Sequence, residues 1–340
     1  MSGHPHGSHR LFSVDALKGF AISCVVLGHV LLRSVPEPAD NALYLLLSAF
    51  EMPLFMFLSG FVLPGRVRGP RPQWVWRRAV RLMVPFLAWH AIFFLSLRVT
   101  TLNEQQPVAL AQGLVGYLAR IVVSPTAGLW YLPALVLCSA VLALFYNLAE
   151  RPLTLLAAGW VTLLLLAWAR EALGVAPDFG LLKTVTYWPF FAAGFTWGQW
   201  KRPLQPDRPL LKWVPLLAYP LIAVPLMRTM GVAGALAGGA LKVVLGLAGT
   251  AAAAVLIEFA EPVARRFRLD ALGRLTLGVY CAQWLFLRVE FGSSLAAIAA
   301  SFAFTLAGSI AVTLVIGRVP VLKGVLLGEW PRKAASASSR

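Results

Sequence analysis

The chain has 340 residues, of which 59% are hydrophobic and 13% are charged, and its mean hydropathy is +0.74. This apolar share exceeds the roughly 45–50% of soluble globular domains and excludes an ordinary water-soluble enzyme. The formal net charge of +16 would suggest nucleic-acid binding in a soluble protein. Basic cytoplasmic loops of a membrane protein account for this charge better, so we expect no nucleic-acid partner.

Long apolar runs without strand-like alternation predict an all-α polytopic bundle of about ten transmembrane helices. At about 20 apolar residues per span, the helices fall at about 16–35, 43–63, 79–98, 129–147, 153–169, 185–200, 213–228, 237–258, 275–290 and 295–317. The expected organisation is a disordered cytoplasmic leader (residues 1–12), a membrane domain (13–325) and a cytoplasmic tail (326–340). The longest connection contains an apolar stretch at 108–123, which we expect along the outer surface or in a vestibule.

The basic residues indicate how the chain is oriented. With the amino end inside, 22 of the 30 Lys and Arg residues fall on cytoplasmic segments, as the positive-inside rule requires. An even number of spans then places both termini in the cytoplasm, and we expect a multi-pass protein of a bacterial-type plasma membrane. Three cysteines lie within apolar stretches and indicate neither a disulfide framework nor a metal site. They are Cys24, Cys138 and Cys281.

Three ionisable residues share one face of the first helix: Asp15, Lys18 and His29. Eleven residues separate Lys18 from His29, which corresponds to a net rotation of about 20° and an axial rise of about 16 Å. Ionisable residues within a span mark a functional interior, and a single buried imidazole suits general base catalysis. We therefore predict that His29 is a base and that Asp15 and Lys18 lie at the cytoplasmic mouth. The alternative is a histidine that packs between helices.

Glu51 falls midway along the second span, where a carboxylate needs a partner or a proton. It could orient His29, accept a hydrogen bond from a substrate hydroxyl, or pair with a structural cation. In the same span, Gly60 permits close approach of another helix.

An arginine-rich segment precedes the third helix, with six arginines between Arg66 and Arg81. Because Arg78 and Arg81 are three residues apart, we predict that they point the same way and present guanidinium groups to phosphates of a cytoplasmic donor. His90, about two turns deeper, is interpreted as a packing residue.

Five segments, taken in chain order, resemble motifs of the acyltransferase 3 family, whose members move acyl groups from acyl-CoA to hydroxyls of sugars, glycolipids, envelope polysaccharides or macrolides. They are VDALKGFAISCVVLGH (14–29), FEMPLFMFLSGF (50–61), RRAVRLMVPF (77–86), GLWYLPAL (128–135) and LGRLTLGVYCAQW (272–284). The resemblance covers the whole chain, and the first-helix motif is its most specific part.

The resemblance implies an acyltransferase that uses acyl-CoA, with acetyl-CoA expected, and requires no metal. It implies that His29 is the catalytic base, and we assign Glu51 to catalysis with it. The donor site is expected to include Asp15, Lys18, Arg78 and Arg81. Acceptor binding and stabilisation of the tetrahedral oxyanion are expected from Ser59, Trp130, Tyr131, Tyr280 and Gln283.

The chain departs from the family pattern at three positions. Lys18 stands where many members have arginine, which keeps the charge but loses bidentate geometry. Glu51 and Gln283 stand where many members have histidine, so a proton relay through those histidines is not available to this chain.

Two other classes of protein compete with this interpretation. A proton-coupled transporter or flippase of a saccharide or small anion could use His29 as its coupling residue, although the two halves of the sequence show no internal repeat. A structural membrane subunit would tolerate substitution of Lys18 and His29. The sequence leaves the acceptor, the acyl chain length and the oligomeric state open.

Overall fold

The computed structural model describes residues 6–65, 67, 71–98, 107–125, 128–200, 209–230 and 235–330. Every regular element in these ranges is a helix, which confirms the predicted all-α class. In chain order the α-helices are α1 (His6–Ser34), α2 (Ala42–Phe61), α3 (Arg71–Arg98), α4 (Pro107–Val123), α5 (Tyr131–Leu144), α6 (Pro152–Ala172), α7 (Leu181–Gln199), α8 (Pro209–Met230), α9 (Ala235–Phe259), α10 (Glu261–Arg266), α11 (Leu269–Arg274), α12 (Thr276–Phe286), α13 (Leu295–Arg318) and α14 (Pro320–Leu327).

Each of the ten predicted spans coincides with one of these helices. Six of the described helices, α1, α2, α3, α6, α9 and α13, are long and apolar enough to cross a membrane by length and composition. The chain is therefore a multi-pass membrane protein. The number of spans and the side on which the termini lie stay predictions.

Two helical boundaries differ from the sequence predictions, and one connecting stretch forms a helix of its own. α1 begins at His6, within the segment expected to be a disordered leader, because no proline interrupts the chain from there until Pro36 ends the helix. The apolar stretch 108–123 forms α4, which packs on α3. α12 ends at Phe286, and Gly292, with a φ of +122°, lies in the loop that follows it. The predicted tail, 326–340, begins within α14, and its residues 331–340 lie outside the described residues.

Glycines bring α2 and α7 into backbone contact. A Cβ atom on Gly194 of α7 would lie 1.9 Å from the Phe57 carbonyl oxygen, and one on Gly60 would lie 2.1 Å from the Phe191 carbonyl oxygen. Small residues at a crossing let two helices approach this closely. The predicted role of Gly60 is therefore confirmed.

A second glycine-mediated crossing holds α1 against α11. A Cβ atom on Gly19 would lie 2.0 Å from the Leu269 carbonyl oxygen, and one on Gly273 would lie 1.8 Å from the Asp15 carbonyl oxygen. α1 also packs on α2, α12 and α13, so the helix with the three predicted ionisable residues lies inside the bundle.

Candidate active site

His29 lies near the carboxyl end of α1 and contacts α12 through Gln283. Its Nδ1 atom lies 3.1 Å from Gln283 Oε1, while Gln283 Nε2 donates to the Tyr280 carbonyl oxygen at 2.9 Å. Only the amide nitrogen can donate to that carbonyl, so the amide oxygen must face the imidazole. In neutral His29, Nδ1 therefore carries the proton and donates it to Gln283. The lone pair of Nε2 is left available as a base.

Trp284, which the sequence analysis did not select, packs beside the imidazole. The two ring centroids are 4.9 Å apart, and the indole Nε1 atom is buried without a hydrogen-bond partner among the described residues. Gly128, with a φ of +60°, passes over the indole so closely that a Cβ atom would lie 3.1 Å from Trp284 Cε2. A buried donor without an acceptor is costly. This N–H is therefore a candidate to bind a substrate oxygen.

The three hydroxyl groups expected near the site already have partners. Tyr131 donates to the Phe55 carbonyl oxygen at 3.3 Å, and the Ser59 Oγ atom lies 2.6 Å from the Tyr131 hydroxyl. Because the single Tyr131 proton points to Phe55, Ser59 is the donor in that pair. Tyr280 donates to the Gly128 carbonyl oxygen at 2.8 Å. Trp284 thus offers a free donor where these hydroxyls do not.

Glu51 lies against the backbone of α1 at Gly28, the residue that precedes His29. Its Oε2 atom lies 2.8 Å from the position that a Cβ atom on Gly28 would take, so the missing side chain of Gly28 makes room for the carboxylate. Oε2 is buried without a hydrogen-bond partner, and no cation in the described ranges forms an ion pair with Glu51. Of the three roles considered for Glu51, the arrangement favours acceptance of a hydrogen bond from a substrate.

Lys18 and Asp15 form an ion pair of 3.0 Å and line a cavity of about 700 Å³ that opens beside the middle of α1. Three more cations and a second carboxylate line the same cavity, which we call the basic mouth. They are Arg274, Arg318, Lys323 and Glu329. These cations were counted for topology but could not be assigned to a site from the sequence, because they lie on α11, α13 and α14, far from Lys18 in the chain.

The two arginines predicted to act together contact different elements. Arg78 Nε donates to Ser139 Oγ on α5 at 2.6 Å. Arg81 is exposed and lines a second cavity of about 570 Å³ with Arg77 and Glu329. Because Glu329 also lines the basic mouth, Arg81 extends that cationic region while Arg78 faces the α3–α5 contact.

Two helices connect the basic mouth with the imidazole. Along α1, Lys18 and His29 are separated by about 16 Å. Lys18 lines the mouth with residues of α11, α12 and α13, and His29 contacts α12. Along α12, Gly278 lines the mouth and Gln283 contacts His29 about 7.5 Å further on.

His90 takes no part in this arrangement. It is 2% exposed, its Nδ1 atom lies 3.0 Å from the Tyr117 hydroxyl, and its ring packs against Phe86 and Phe93. The structure is consistent with the interpretation of His90 as a packing residue.

A family described as an acyltransferase domain matches residues 11–318. The nodulation protein NolL of Sinorhizobium fredii is 29% identical over 204 residues, which cover 56% of this chain and 50% of that protein. The NolL of Mesorhizobium japonicum is 33% identical over 87 residues, which cover 24% of this chain and 23% of that protein. The match thus spans about half the length of the first of these relatives. No solved structure matches the chain.

Proposed function

Because the chain belongs to the acyltransferase 3 family, we propose that it transfers an acyl group from acyl-CoA to a hydroxyl of a saccharide, glycolipid or macrolide-type acceptor. The observation that carries this proposal is the hydrogen bond from His29 Nδ1 to Gln283, which leaves Nε2 unprotonated. A base with a fixed tautomer beside a free hydrogen-bond donor suits acyl transfer.

The reaction needs one base and no metal. His29 Nε2 takes the proton of the acceptor hydroxyl while the hydroxyl oxygen attacks the thioester carbonyl. The new C–O bond forms first, the C–S bond then breaks, and the imidazolium returns the proton to the departing CoA thiolate. Throughout this cycle Nδ1–H stays bound to Gln283, which keeps the ring oriented.

The tetrahedral intermediate places negative charge on the former carbonyl oxygen. Trp284 Nε1–H lies beside the imidazole, and we assign it to that oxygen, since donors preorganised for a developing charge lower the barrier most. We assign Glu51 Oε2 to a hydrogen bond from the acceptor, which would hold the acceptor next to His29.

The donor site is assigned to the basic mouth. The phosphates of CoA would bind Lys18, Arg274, Arg318 and Lys323, with Arg81 at the edge of the region. The pantetheine arm would then extend about 16 Å along α1 to His29. Because CoA thioesters are made in the cytoplasm, this assignment agrees with the predicted orientation of both termini. Acetyl-CoA is the expected donor.

The test is thermal stabilisation of the detergent-purified protein by acetyl-CoA and by longer acyl-CoAs. A ligand that binds only the folded state adds about 2.7 kcal/mol at 100 times its Kd. We expect a clear increase in Tm for the wild type and a smaller one for Lys18→Ala and Arg318→Ala. Arg151→Ala removes an exposed cation that does not line the mouth, and should respond like the wild type.

The catalytic residues are tested by two measurements: thermal stabilisation by acyl-CoA, and transfer of the radiolabelled acetyl group from acetyl-CoA. His29→Ala should keep the increase in Tm and lose transfer. Trp284→Phe keeps a ring against His29 but lacks the N–H, and should lower kcat about 10²-fold. If folded wild-type protein gives no increase in Tm with any acyl-CoA, the proposal is wrong and the proton-coupled transporter becomes the better interpretation.

A further inference from the structure

Two lysines flank a pair of stacked aromatic rings beside the catalytic cluster. The Trp130 and Tyr187 centroids are 5.0 Å apart with an interplanar angle of 25°. Lys183 Nζ lies 5.1 Å from the Trp130 centroid, and Lys242 Nζ lies 4.9 Å from the Tyr187 centroid. We call these four side chains, contributed by α7, α9 and the start of α5, the cation–aromatic row.

The row carries two positive charges that the protein does not neutralise. Neither ammonium group lies within ion-pair distance of a carboxylate in the part of the chain that the structure describes. The faces of the two rings attract the cations, but this attraction is weaker than an ion pair in apolar surroundings. An anion bound beside the lysines would reduce their mutual repulsion and supply the charge compensation that the described residues lack.

The row is linked to the proposed base through Gly128 and Trp284. Trp130 follows Gly128 by two residues, and Gly128 packs on the Trp284 indole, which in turn packs on His29. A single indole ring therefore separates this segment from the imidazole. Trp130 is half-buried and Lys183 is exposed, so a molecule arriving from outside the bundle can contact both.

We propose that the cation–aromatic row is the acceptor subsite and that it selects a saccharide carrying a carboxylate or a phosphate group. The sugar contacts the accessible part of Trp130, whose ring is held in place by Tyr187. The anionic group binds Lys183 and Lys242, and a neighbouring hydroxyl is presented toward His29. This inference rests on the proposed acyl transfer, because it assigns the row to the acceptor of that reaction.

The experiment measures binding of two matched pairs of sugars to the detergent-purified protein by isothermal titration calorimetry. Trigalacturonic acid is compared with galactotriose, and glucose 6-phosphate with glucose. We expect at least one acidic sugar to bind about tenfold more tightly than its neutral counterpart. Lys183→Met/Lys242→Met should reduce that preference to less than about threefold. Arg228→Met, which removes an exposed cation from α8, should leave the preference unchanged.

Three outcomes would overturn the proposal: equal binding of acidic and neutral sugars, no sugar binding, or a preference that survives in the double lysine variant. A lipid site is tested in nanodiscs. A lipid site would be shown by two results together: phosphatidylglycerol stabilises the wild type more than phosphatidylcholine does, and the double lysine variant loses this difference. If, in addition, acidic and neutral sugars bind equally well, the row binds lipid headgroups and the proposal is wrong. Stabilisation by acyl-CoA is measured separately. If acyl-CoA does not stabilise the protein but the preference for acidic sugars is retained, the proposed acyl transfer is contradicted, whereas the sugar-binding site is not.

Discussion

At the scale of single residues, one hydrogen bond determines whether His29 can act as a base. Gln283 occupies a position where many family members have histidine, and it removes one of the two neutral tautomers by accepting from Nδ1. From this contact we propose a positioning role for Gln283; the binding of the acceptor substrate predicted for it from the sequence stays a prediction. The chain therefore does not need a second histidine to orient the first.

Gln283→Leu should lower kcat at least about tenfold, because both tautomers of His29 then become populated and the ring loses its orientation. The KM for acyl-CoA and the increase in Tm with acyl-CoA should not change, since the side chain does not line the basic mouth. Gln283→Glu restores an acceptor for Nδ1–H and should recover part of the activity. The control is Gln112→Leu on the exposed face of α4. An unchanged kcat for Gln283→Leu would contradict the tautomer argument.

The residues that the sequence could reveal are those whose chemistry conflicts with their surroundings. His29 and Glu51 are ionisable groups in apolar spans, so they were evident without a structure. Trp284 was not evident, because an aromatic residue in an apolar helix usually packs or anchors. Its free N–H is visible only once the positions of Gly128 and His29 are known.

At the scale of elements, glycines determine how closely α1 packs against α11. The sequence identified long helices well because about 20 apolar residues are enough to indicate a span. The short helices α10, α11 and α14 were missed, since six to eight residues cannot span a membrane. Yet α11 and α14 supply Arg274 and Lys323 to the basic mouth.

Gly19→Ala should lower the free energy of unfolding by about 1–3 kcal/mol, as expected for overpacking of a close contact. The new Cβ atom would lie 2.0 Å from the Leu269 carbonyl oxygen, and backbone cannot move aside as a flexible side chain could. Thermal unfolding of the purified protein measures the change. Gly239→Ala on α9 is the matched control, because no atom lies within 4 Å of its Cβ position. Equal Tm values for the two variants would contradict the described crossing of α1 and α11.

At the scale of the whole molecule, the two groups of cations lie at different ends of the bundle. The basic mouth surrounds Lys18, twelve residues into α1. Lys183 and Lys242 lie near Trp130 and Tyr187, on the side of the bundle where α1 ends. The count of basic loop residues predicted this separation and an orientation. It could not group the cations into sites, because each site draws side chains from helices that are distant in sequence.

The orientation can be tested across α6 with two single-cysteine variants. α6 is one of the candidate spans, and exposed glutamates flank it: Glu150 precedes the helix and Glu171 lies in its last turn. The native cysteines Cys24, Cys138 and Cys281 are buried, so the wild type should react slowly with maleimides and provides the background. In intact cells, a membrane-impermeant maleimide should label Glu171→Cys but label Glu150→Cys only after permeabilisation. Labelling of both variants from the outside would show that α6 does not span. The opposite pattern would reverse the orientation and place the basic mouth outside, away from cytoplasmic acyl-CoA, which would contradict the proposed donor site.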